Sequence, residues 1–317
     1  MPSHPPTEHF VTLFDSKFLP MGMALHASLL AHGRPFHLWI VCMDDRIEKQ
    51  LAALGLPHIT PIPLASMETP ELLAVKPGRS RGEYCWTLTP FTFRAVFDRD
   101  DSIQRVTYLD SDIFFFADPQ LLLREFDESE KHVLITEHAY APEYEFYRDL
   151  SGRFCVQFMT FRRTAPAEKV MRWWQERCLE WCYDRHEEGK FGDQKYLDDW
   201  PESFGDEVHV LRQTDKTLAP WNAEFFEKKS GGVLAPVFYH FQAFRIIARN
   251  EVRLYGGYTI GADGMRLYDA YLNAIRTSLA TMKRFGMGIP VIREKMTLKE
   301  RFWKWRDREP HYVKLRP

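Results

Sequence analysis

The sequence of 317 residues has no excess of positive charge. Its 42 lysine and arginine side chains are matched by 44 aspartate and glutamate side chains, and the formal net charge is −2. Proteins that bind nucleic acid over a broad surface carry a basic field. We therefore expect no nucleic-acid partner.

Long hydrophobic runs and a disulfide framework are also missing. An apolar run such as residues 113–117 is far shorter than the roughly 20 residues of a membrane-spanning helix. Residues 1–9 are polar and proline-rich, without the basic and apolar regions of a secretory signal. The cysteines number five, an odd count that does not suit a framework of paired disulfides. These features predict a cytoplasmic protein with reduced thiols.

Apolar and aromatic residues are abundant, and they fall into short runs that alternate with helical stretches. They make up 45% and 15% of the chain, which excludes a disordered protein. The runs predict strands over residues 10–14, 36–43, 58–64, 106–116, 133–136 and 154–161. Helical spacing covers residues 21–32, 87–97 (with Pro90 in the first turn), 165–186 and 265–285, and a further helix is expected to start at residue 192. This alternation predicts an α/β fold with a Rossmann-like, mostly parallel sheet and helices on both faces, which binds ligands at the carboxyl ends of its strands.

The last residues of the chain differ in composition from the rest. No linker is evident before about residue 286, so we predict one catalytic domain over residues 1–285 and a helical, basic extension over residues 286–317. Within residues 293–317 basic side chains outnumber acidic ones and are interleaved with Phe302, Trp303, Trp305 and Tyr312. Two interpretations stay open: a surface helix whose aromatic side chains pack against the domain, and peripheral contact with an anionic membrane.

The strongest local signal is the tripeptide Asp110-Ser111-Asp112, which interrupts the apolar run 106–116. In extended backbone, side chains two residues apart project to the same side. Two unpaired carboxylates are costly to bury unless a cation lies between them. Oxygen ligands suit Mg²⁺ or Mn²⁺, and such an ion can bridge a diphosphate. The tripeptide therefore predicts a divalent-metal site, whereas the Asp-x-Asp at residues 98–100 lies in a charged run and predicts a solvated turn.

The segment Tyr108-Leu-Asp-Ser-Asp-Ile113 resembles the metal-binding segment of nucleotide-sugar-dependent glycosyltransferases with the A-type fold. It is most similar to the retaining family 8 group, which includes bacterial lipopolysaccharide galactosyl- and glucosyltransferases and glycogenin. Four further segments resemble that group in the same order along the chain, namely residues 10–20, 154–163, 192–194 and 237–241. The resemblance implies transfer of a hexosyl unit, with retention, from a nucleoside diphosphate sugar such as a UDP-sugar to a glycan or lipid-linked acceptor. The implied setting is lipopolysaccharide or surface polysaccharide synthesis at the inner face of a bacterial membrane.

The resemblance also implies which residues hold the metal and the nucleotide. His240 would be the third protein ligand, beside Asp110 and Asp112. Asp15 would contact the uracil, and Ser111 would belong to the nucleotide-sugar site.

Asp193 and Gln194 match the residues that flank the donor sugar in that group, so they are the candidate catalytic residues. The carboxylate of Asp193 could instead cap the helix that follows it, and it is also the one good candidate for a double-displacement nucleophile. Gln194 cannot act as a base, but its amide could stabilise positive charge or orient the acceptor.

Two positions, Gln157 and Arg245, depart from the pattern of the group, and Arg94 lies outside its matched segments. Gln157 stands where the group has glycine, and its amide could reach the sugar. Arg245 follows His240 where the group has a lysine on the diphosphate, so Arg245 is expected to replace that cation. Arg94, on the helix before the metal segment, is a candidate for contact with the phosphates, with a structural role as the alternative.

Three other functions compete with a retaining transferase. A sugar-phosphate nucleotidyltransferase would need a glycine-rich phosphate loop after the first strand, and residues 14–22 do not supply one. An inverting transferase would need a carboxylate base that faces the acceptor. A non-catalytic nucleotide-binding module would not need Asp112.

Overall fold

The computed structural model describes residues 7–32, 35–292 and 311–315. Its strands are β1 (Glu8–Phe14), β2 (Phe36–Cys42), β3 (Ile59–Pro63), β4 (Arg105–Leu109), β5 (Ile113–Phe115), β6 (Val133–Glu137), β7 (Phe154–Arg162), β8 (Val208–Val210), β9 (Thr217–Leu218), β10 (Phe238–His240), β11 (Arg245–Ala248), β12 (Glu251–Arg253) and β13 (Tyr312–Lys314). Its α-helices are α1 (Leu19–Ala31), α2 (Asp45–Leu54), α3 (Pro70–Val75), α4 (Arg81–Phe97), α5 (Gln120–Ser129), α6 (Tyr147–Ser151), α7 (Ala165–Glu180), α8 (Trp200–Ser203), α9 (Ala223–Lys229) and α10 (Ala262–Arg284).

The central sheet has the strand order β3-β2-β1-β4-β7-β6-β8. Strand β7 runs antiparallel to its neighbours β4 and β6, and the other neighbouring pairs are parallel. Side chains alternate between the two faces, so Val11 and Leu13 of β1 enter one buried layer, and Phe10 and Phe14 enter the other. The predicted α/β fold, with a mostly parallel sheet between apolar layers, is confirmed.

The predicted strand over residues 106–116 is two strands in two sheets. β4 lies in the central sheet, whereas β5 pairs antiparallel with β10 in a small sheet of order β5-β10-β9, where Ile113 lies opposite His240. Between β4 and β5 the chain turns, and the Ile113 N–H donates to the Asp110 carbonyl at 3.2 Å. A continuous apolar run does not reveal that its halves pair with different strands. Asp110 and Asp112 therefore lie at a turn, not along one strand.

Helix α4 begins well before the predicted start at residue 87. Ser80 and Glu83 form a capping box, which satisfies free amides at its first turn. Pro90 consequently lies inside the helix and not in its first turn.

Two later helices are shorter or tighter than predicted, and one is confirmed. Helix α7 ends at Glu180, before the predicted end near residue 186. The helix expected from residue 192 is a 3₁₀-helix, Lys195–Asp199. The predicted helix over residues 265–285 is confirmed as α10.

The C-terminal extension is described only in part. Residues 293–310, which carry most of its basic and aromatic side chains, lie outside the described residues. Beyond them β13 pairs antiparallel with β12, and Leu315 is buried. Within the described ranges, the structure contains no helix with the length and apolarity that a membrane crossing requires.

Candidate functional site

The carboxyl ends of three strands of the central sheet meet at one cleft. Asp15 follows β1, Asp110 follows β4 and His138 follows β6, and all three side chains line this cleft. Its volume is about 690 Å³. Ligands of open α/β sheets bind at this edge because the chain there leaves the sheet and frees side chains and backbone groups for contact.

Asp110, Asp112 and His240 form a cluster in the cleft. The pairing of β5 with β10 places His240 beside the turn, and the Phe241 N–H donates to the Asp112 carbonyl at 2.9 Å. His240 Nε2 lies 3.2 Å from Asp112 Oδ1 and 3.6 Å from Asp110 Oδ2. One potential ligand atom from each of the three residues lies within 4.8 Å of the other two. The predicted metal-ligand set is therefore brought together in space.

His240 is oriented by a side chain behind it. Its Nδ1 lies 2.8 Å from Oε1 of Gln157, which accepts a hydrogen bond from the Nδ1–H. Nε2 then faces the two aspartates. Ligand histidines in metal sites are commonly held in this way, with one nitrogen on a hydrogen-bond acceptor and the other on the ion.

Burial and the mutual proximity of the three side chains shift their pKa values. Burial, together with the neighbouring Asp112, raises the pKa of Asp110. Burial acts in the same direction on Asp112, but His240 and Arg245 outweigh it and lower its pKa. Burial alone would lower the pKa of His240, yet the two aspartates raise it well above its usual value. Two carboxylates and one imidazole nitrogen fit a divalent cation.

Ser111 and Arg245 also line the cleft, next to this cluster. Ser111 is buried in the turn. Arg245 Nη1 lies 3.9 Å from Asp112 Oδ2, and the guanidinium carbon lies 4.9 Å from the ring centroid of Phe18. The Arg245 guanidinium, which was predicted to contact the diphosphate, therefore lies beside Asp112.

Asp15 lies in the cleft, and each of its carboxylate oxygens has a polar partner. Oδ1 accepts from the Lys17 N–H at 2.8 Å, and Oδ2 lies 2.9 Å from Nε of Arg81. Arg81 Nη2 also donates to Asp44 Oδ2 at 2.8 Å. Arg81 was not among the predicted site residues, although Asp15 and Asp44 follow adjacent strands and two such acidic residues favour a cation between them.

Asp193 lines the cleft and is 5% exposed. Burial, assisted by the charge of Asp110, raises the pKa of Asp193 to about 8. It does not cap the following 3₁₀-helix, whose first turn has no side-chain cap; capping was an alternative that the structure does not support. Gln194 lines the cleft too, and its Nε2 donates to the Ser151 carbonyl at 2.6 Å.

Two candidates lie outside the cleft wall. Arg94 is exposed on α4, where it pairs with Asp98 at 2.7 Å and Glu168 at 3.1 Å, so the expectation that it approaches the phosphates is corrected. Gln157 is fully buried, and its amide oxygen accepts a hydrogen bond from His240. It therefore lies behind the cluster of Asp110, Asp112 and His240 and not at a sugar.

Several cleft residues were missed because no local pattern marks them. The Tyr108 hydroxyl donates to Asp110 Oδ1 at 3.0 Å. Tyr140, Trp221 and Tyr258 line another part of the cleft. A local sequence pattern does not distinguish an aromatic side chain of the core from one that faces a cleft, so only the tertiary structure identifies these residues.

Comparison with known proteins identifies relatives and the fold. No family model matches the sequence. The uncharacterized protein YfnD of Bacillus subtilis (strain 168) is 33% identical over 262 residues, which cover 80% of this chain and 83% of that protein. YfnF of the same strain is 32% identical over 260 residues, with coverage of 78% and 85%.

Among solved structures, the galactosyltransferase LgtC in complex with donor and acceptor sugar analogs superposes with a TM-score of 0.54 and 12% sequence identity, over 85% of this chain and 95% of that chain. At this identity the likeness concerns the fold, which is the A-type glycosyltransferase fold. By sequence, the chain belongs to the family of the Bacillus subtilis proteins YfnD and YfnF.

Proposed function

We propose that the protein is a metal-dependent glycosyltransferase of the retaining family 8 type. It would move a hexosyl unit from a nucleoside diphosphate sugar, a UDP-sugar in our proposal, to an acceptor hydroxyl. The observation that carries the proposal is the cluster of Asp110, Asp112 and His240, with ligand atoms within 4.8 Å of one another at the ligand-binding edge of an A-type fold. LgtC, which shares this fold, was solved with donor and acceptor sugar analogs.

The cluster would hold Mn²⁺ or Mg²⁺ through the two carboxylates and His240 Nε2. An ion there supplies positive charge that offsets the charge of a diphosphate leaving group. Arg245, beside Asp112, would add a second positive group on the diphosphate. Ser111, between the two aspartates, would contact the nucleotide.

The end of the cleft near Asp15 would take the base of the nucleotide. Because the Asp15 carboxylate is already paired with Arg81, the base would meet an aspartate–arginine pair and not a free carboxylate. Such a pair offers both acceptors and donors to a pyrimidine edge.

Asp193 and Gln194 would lie at the transferred sugar. In the retaining reaction, the acceptor oxygen bonds to the anomeric carbon on the face that the diphosphate leaves, and the acceptor proton passes to the departing diphosphate oxygen. The raised pKa of Asp193 suits a hydrogen-bonding role toward sugar hydroxyls better than a nucleophilic one. Gln194, held by the Ser151 carbonyl, would orient the sugar or the acceptor.

The acceptor in this proposal is a glycan or a lipid-linked glycan of lipopolysaccharide or surface polysaccharide synthesis. The basic, aromatic residues 293–317 would hold the enzyme at the inner face of an anionic membrane.

The proposal is tested with a panel of nucleotide sugars, because many transferases slowly pass their donor to water. We expect hydrolysis of one UDP-sugar that requires Mn²⁺ or Mg²⁺ and is lost in Asp112→Asn. Analysis of the anomeric configuration of the first product separates retention from inversion. Hydrolysis that persists in Asp112→Asn, or no nucleotide sugar consumed and none bound, would contradict the proposal.

A further inference from the structure

A series of aromatic rings leads from the metal cluster toward the surface. Trp221 meets His240 edge-on, with 5.6 Å between ring centroids. Tyr140 and Tyr258 lie 6.2 Å and 6.3 Å from Trp221, and all three line the cleft. Tyr147 lies 6.1 Å from Tyr140 and 6.2 Å from Tyr258. We refer to Tyr140, Tyr147, Trp221 and Tyr258 as the aromatic wall.

The rings of the wall are held in place by contacts with neighbouring groups. Trp221 Nε1 donates to the His138 carbonyl at 2.7 Å. The His138 ring stacks on Tyr140, with centroids 4.6 Å apart and planes at 12°. Tyr144 packs edge-on to Tyr258 at 5.0 Å. A ligand that binds here therefore meets preorganised rings and does not have to order them, which favours affinity.

Exposure increases along the wall. Trp221, next to the metal cluster, is 4% exposed. Tyr140, Tyr147 and Tyr258 are half-buried. Phe146, whose ring lies 4.3 Å from Tyr147, is 57% exposed at the outer end. This gradient suits an elongated ligand that has one end at the cluster and the other in solvent.

The strand order places the wall on the far side of the cluster from the nucleotide end. Asp15 follows β1, Asp110 follows β4 and His138 follows β6, and β4 lies between β1 and β6 in the sheet. A nucleotide at Asp15 with its diphosphate at Asp110 would leave the wall free for a second substrate.

We propose that the aromatic wall is the acceptor subsite and that it binds a neutral saccharide by stacking of sugar rings on Tyr140 and Tyr258. This inference rests on the proposed function. A pyranose presents a face of C–H groups that packs on an aromatic ring, and its rim of hydroxyls needs hydrogen-bond partners. Tyr140 and Tyr258 each offer an apolar ring and a hydroxyl group.

The chemistry of the wall favours a neutral sugar over an anionic one or an alkyl chain. Its four side chains carry no formal charge, and burial raises the pKa of the Tyr140 and Tyr258 hydroxyls, so they stay protonated at neutral pH. The same cause lowers the pKa of His138 to about 3, so the ring that stacks on Tyr140 is neutral. An alkyl chain would leave the tyrosine hydroxyls without partners.

Binding of defined saccharides to the full-length protein tests the inference. The probes are lactose, maltose and methyl N-acetyl-β-glucosaminide, with N-acetylneuraminic acid and glucose 6-phosphate as charged comparisons, in saturation-transfer NMR and calorimetry. We expect at least one neutral probe to bind and its Kd to rise about two- to tenfold in each of Tyr140→Ala and Tyr258→Ala. Tyr140→Phe keeps the ring and should lose less affinity for the saccharide. Phe285→Ala changes an exposed aromatic residue at the end of α10 and should leave that affinity unchanged.

The outcomes separate this inference from the proposed function. If no neutral probe binds, if the charged probes bind better, or if the alanine variants bind like the wild type, the acceptor subsite is overturned. The unfolding temperature with UDP and Mn²⁺ is measured on the same variants. If UDP and Mn²⁺ still raise the unfolding temperature of a variant, its donor site is folded. A loss of saccharide binding in that variant is then caused by the change in the aromatic wall. Absence of that shift in the wild type would instead contradict the proposed function.

Discussion

Nδ1 of His240 lies 2.8 Å from Oε1 of Gln157, and this contact turns Nε2 of the same ring toward Asp110 and Asp112. The two residues are 83 positions apart in the chain. Gln157 is fully buried on β7, so the orientation of the ring is set from inside the core. The sequence predicted that Gln157 contacts the sugar, whereas the structure places its amide against the His240 ring.

Gln157→Leu should weaken Mn²⁺ binding about 10- to 100-fold, because the imidazole loses the partner that fixes its orientation. Gln157→Glu keeps an acceptor at the same place and should bind Mn²⁺ more tightly than Gln157→Leu. Calorimetric titration with MnCl₂ measures both, and the unfolding temperature in EDTA shows whether each variant is folded. Equal Mn²⁺ affinity in wild type and Gln157→Leu would show that the contact does not orient the ligand.

Asp193→Asn should change how stability depends on pH. The pKa of Asp193 is raised to about 8 in the folded protein, by burial first and Asp110 second, whereas an unfolded chain has a value of about 3.9. Between these values the folded state binds more protons, so this group makes the wild type less stable as pH rises, by at most about 1.4 kcal/mol per pH unit.

The asparagine variant does not titrate there, so its free energy of unfolding relative to the wild type should increase from pH 5 to pH 8. Urea unfolding in EDTA at several pH values measures the difference. A difference that stays constant with pH would mean that Asp193 ionises normally in the folded protein.

Ser80→Ala should lower the free energy of unfolding by about 0.5–2 kcal/mol, since it removes the cap of α4. Ser80 Oγ accepts from the Glu83 N–H at 3.3 Å, and its own N–H donates to Glu83 Oε2 at 2.6 Å. Ser203→Ala, at an exposed residue that ends α8, is the matched control and should have little effect. Chemical denaturation measures the free energy of unfolding of both variants. Equally small decreases in the two variants would mean that the capping box does not stabilise the helix.

Arg81→Gln should weaken UDP binding several-fold, because the guanidinium that pairs with Asp15 and Asp44 is lost. Without the guanidinium, Asp15 and Asp44 leave uncompensated negative charge at the end of the cleft where we place the base. Arg46→Gln, an exposed arginine on α2, is the control for charge. Calorimetry with UDP and Mn²⁺ measures the UDP affinity of both variants, and we expect only Arg81→Gln to differ from the wild type. Unchanged UDP affinity in Arg81→Gln would place the base elsewhere.

The sequence was enough to predict the sheet and the acidic pair of the candidate site. Alternating apolar runs carry the information for strands and helices, because burial of those runs drives the fold. Asp110 and Asp112 were found because two acids inside an apolar run require a physical explanation. His240 has no such local signal, and only the resemblance pointed to it.

The errors have physical causes that a sequence does not display. Residues 106–116 were predicted as one strand because hydrophobicity does not say with which strand each half pairs. Arg94 was placed at the phosphates because the helix was known but its rotation was not; in the fold it faces Asp98 and Glu168. The aromatic wall joins segments from three parts of the chain, which no spacing rule connects.

The central claim is that Asp110, Asp112 and His240 hold a divalent ion together with a nucleotide. Crystals soaked with MnCl₂ and UDP test it directly, because manganese gives an anomalous signal that no protein atom mimics. The account predicts one anomalous peak within coordination distance of the two carboxylates and His240 Nε2, with the diphosphate on its open side. Bound UDP with no anomalous peak between these three residues, or a peak elsewhere in the cleft, would contradict it.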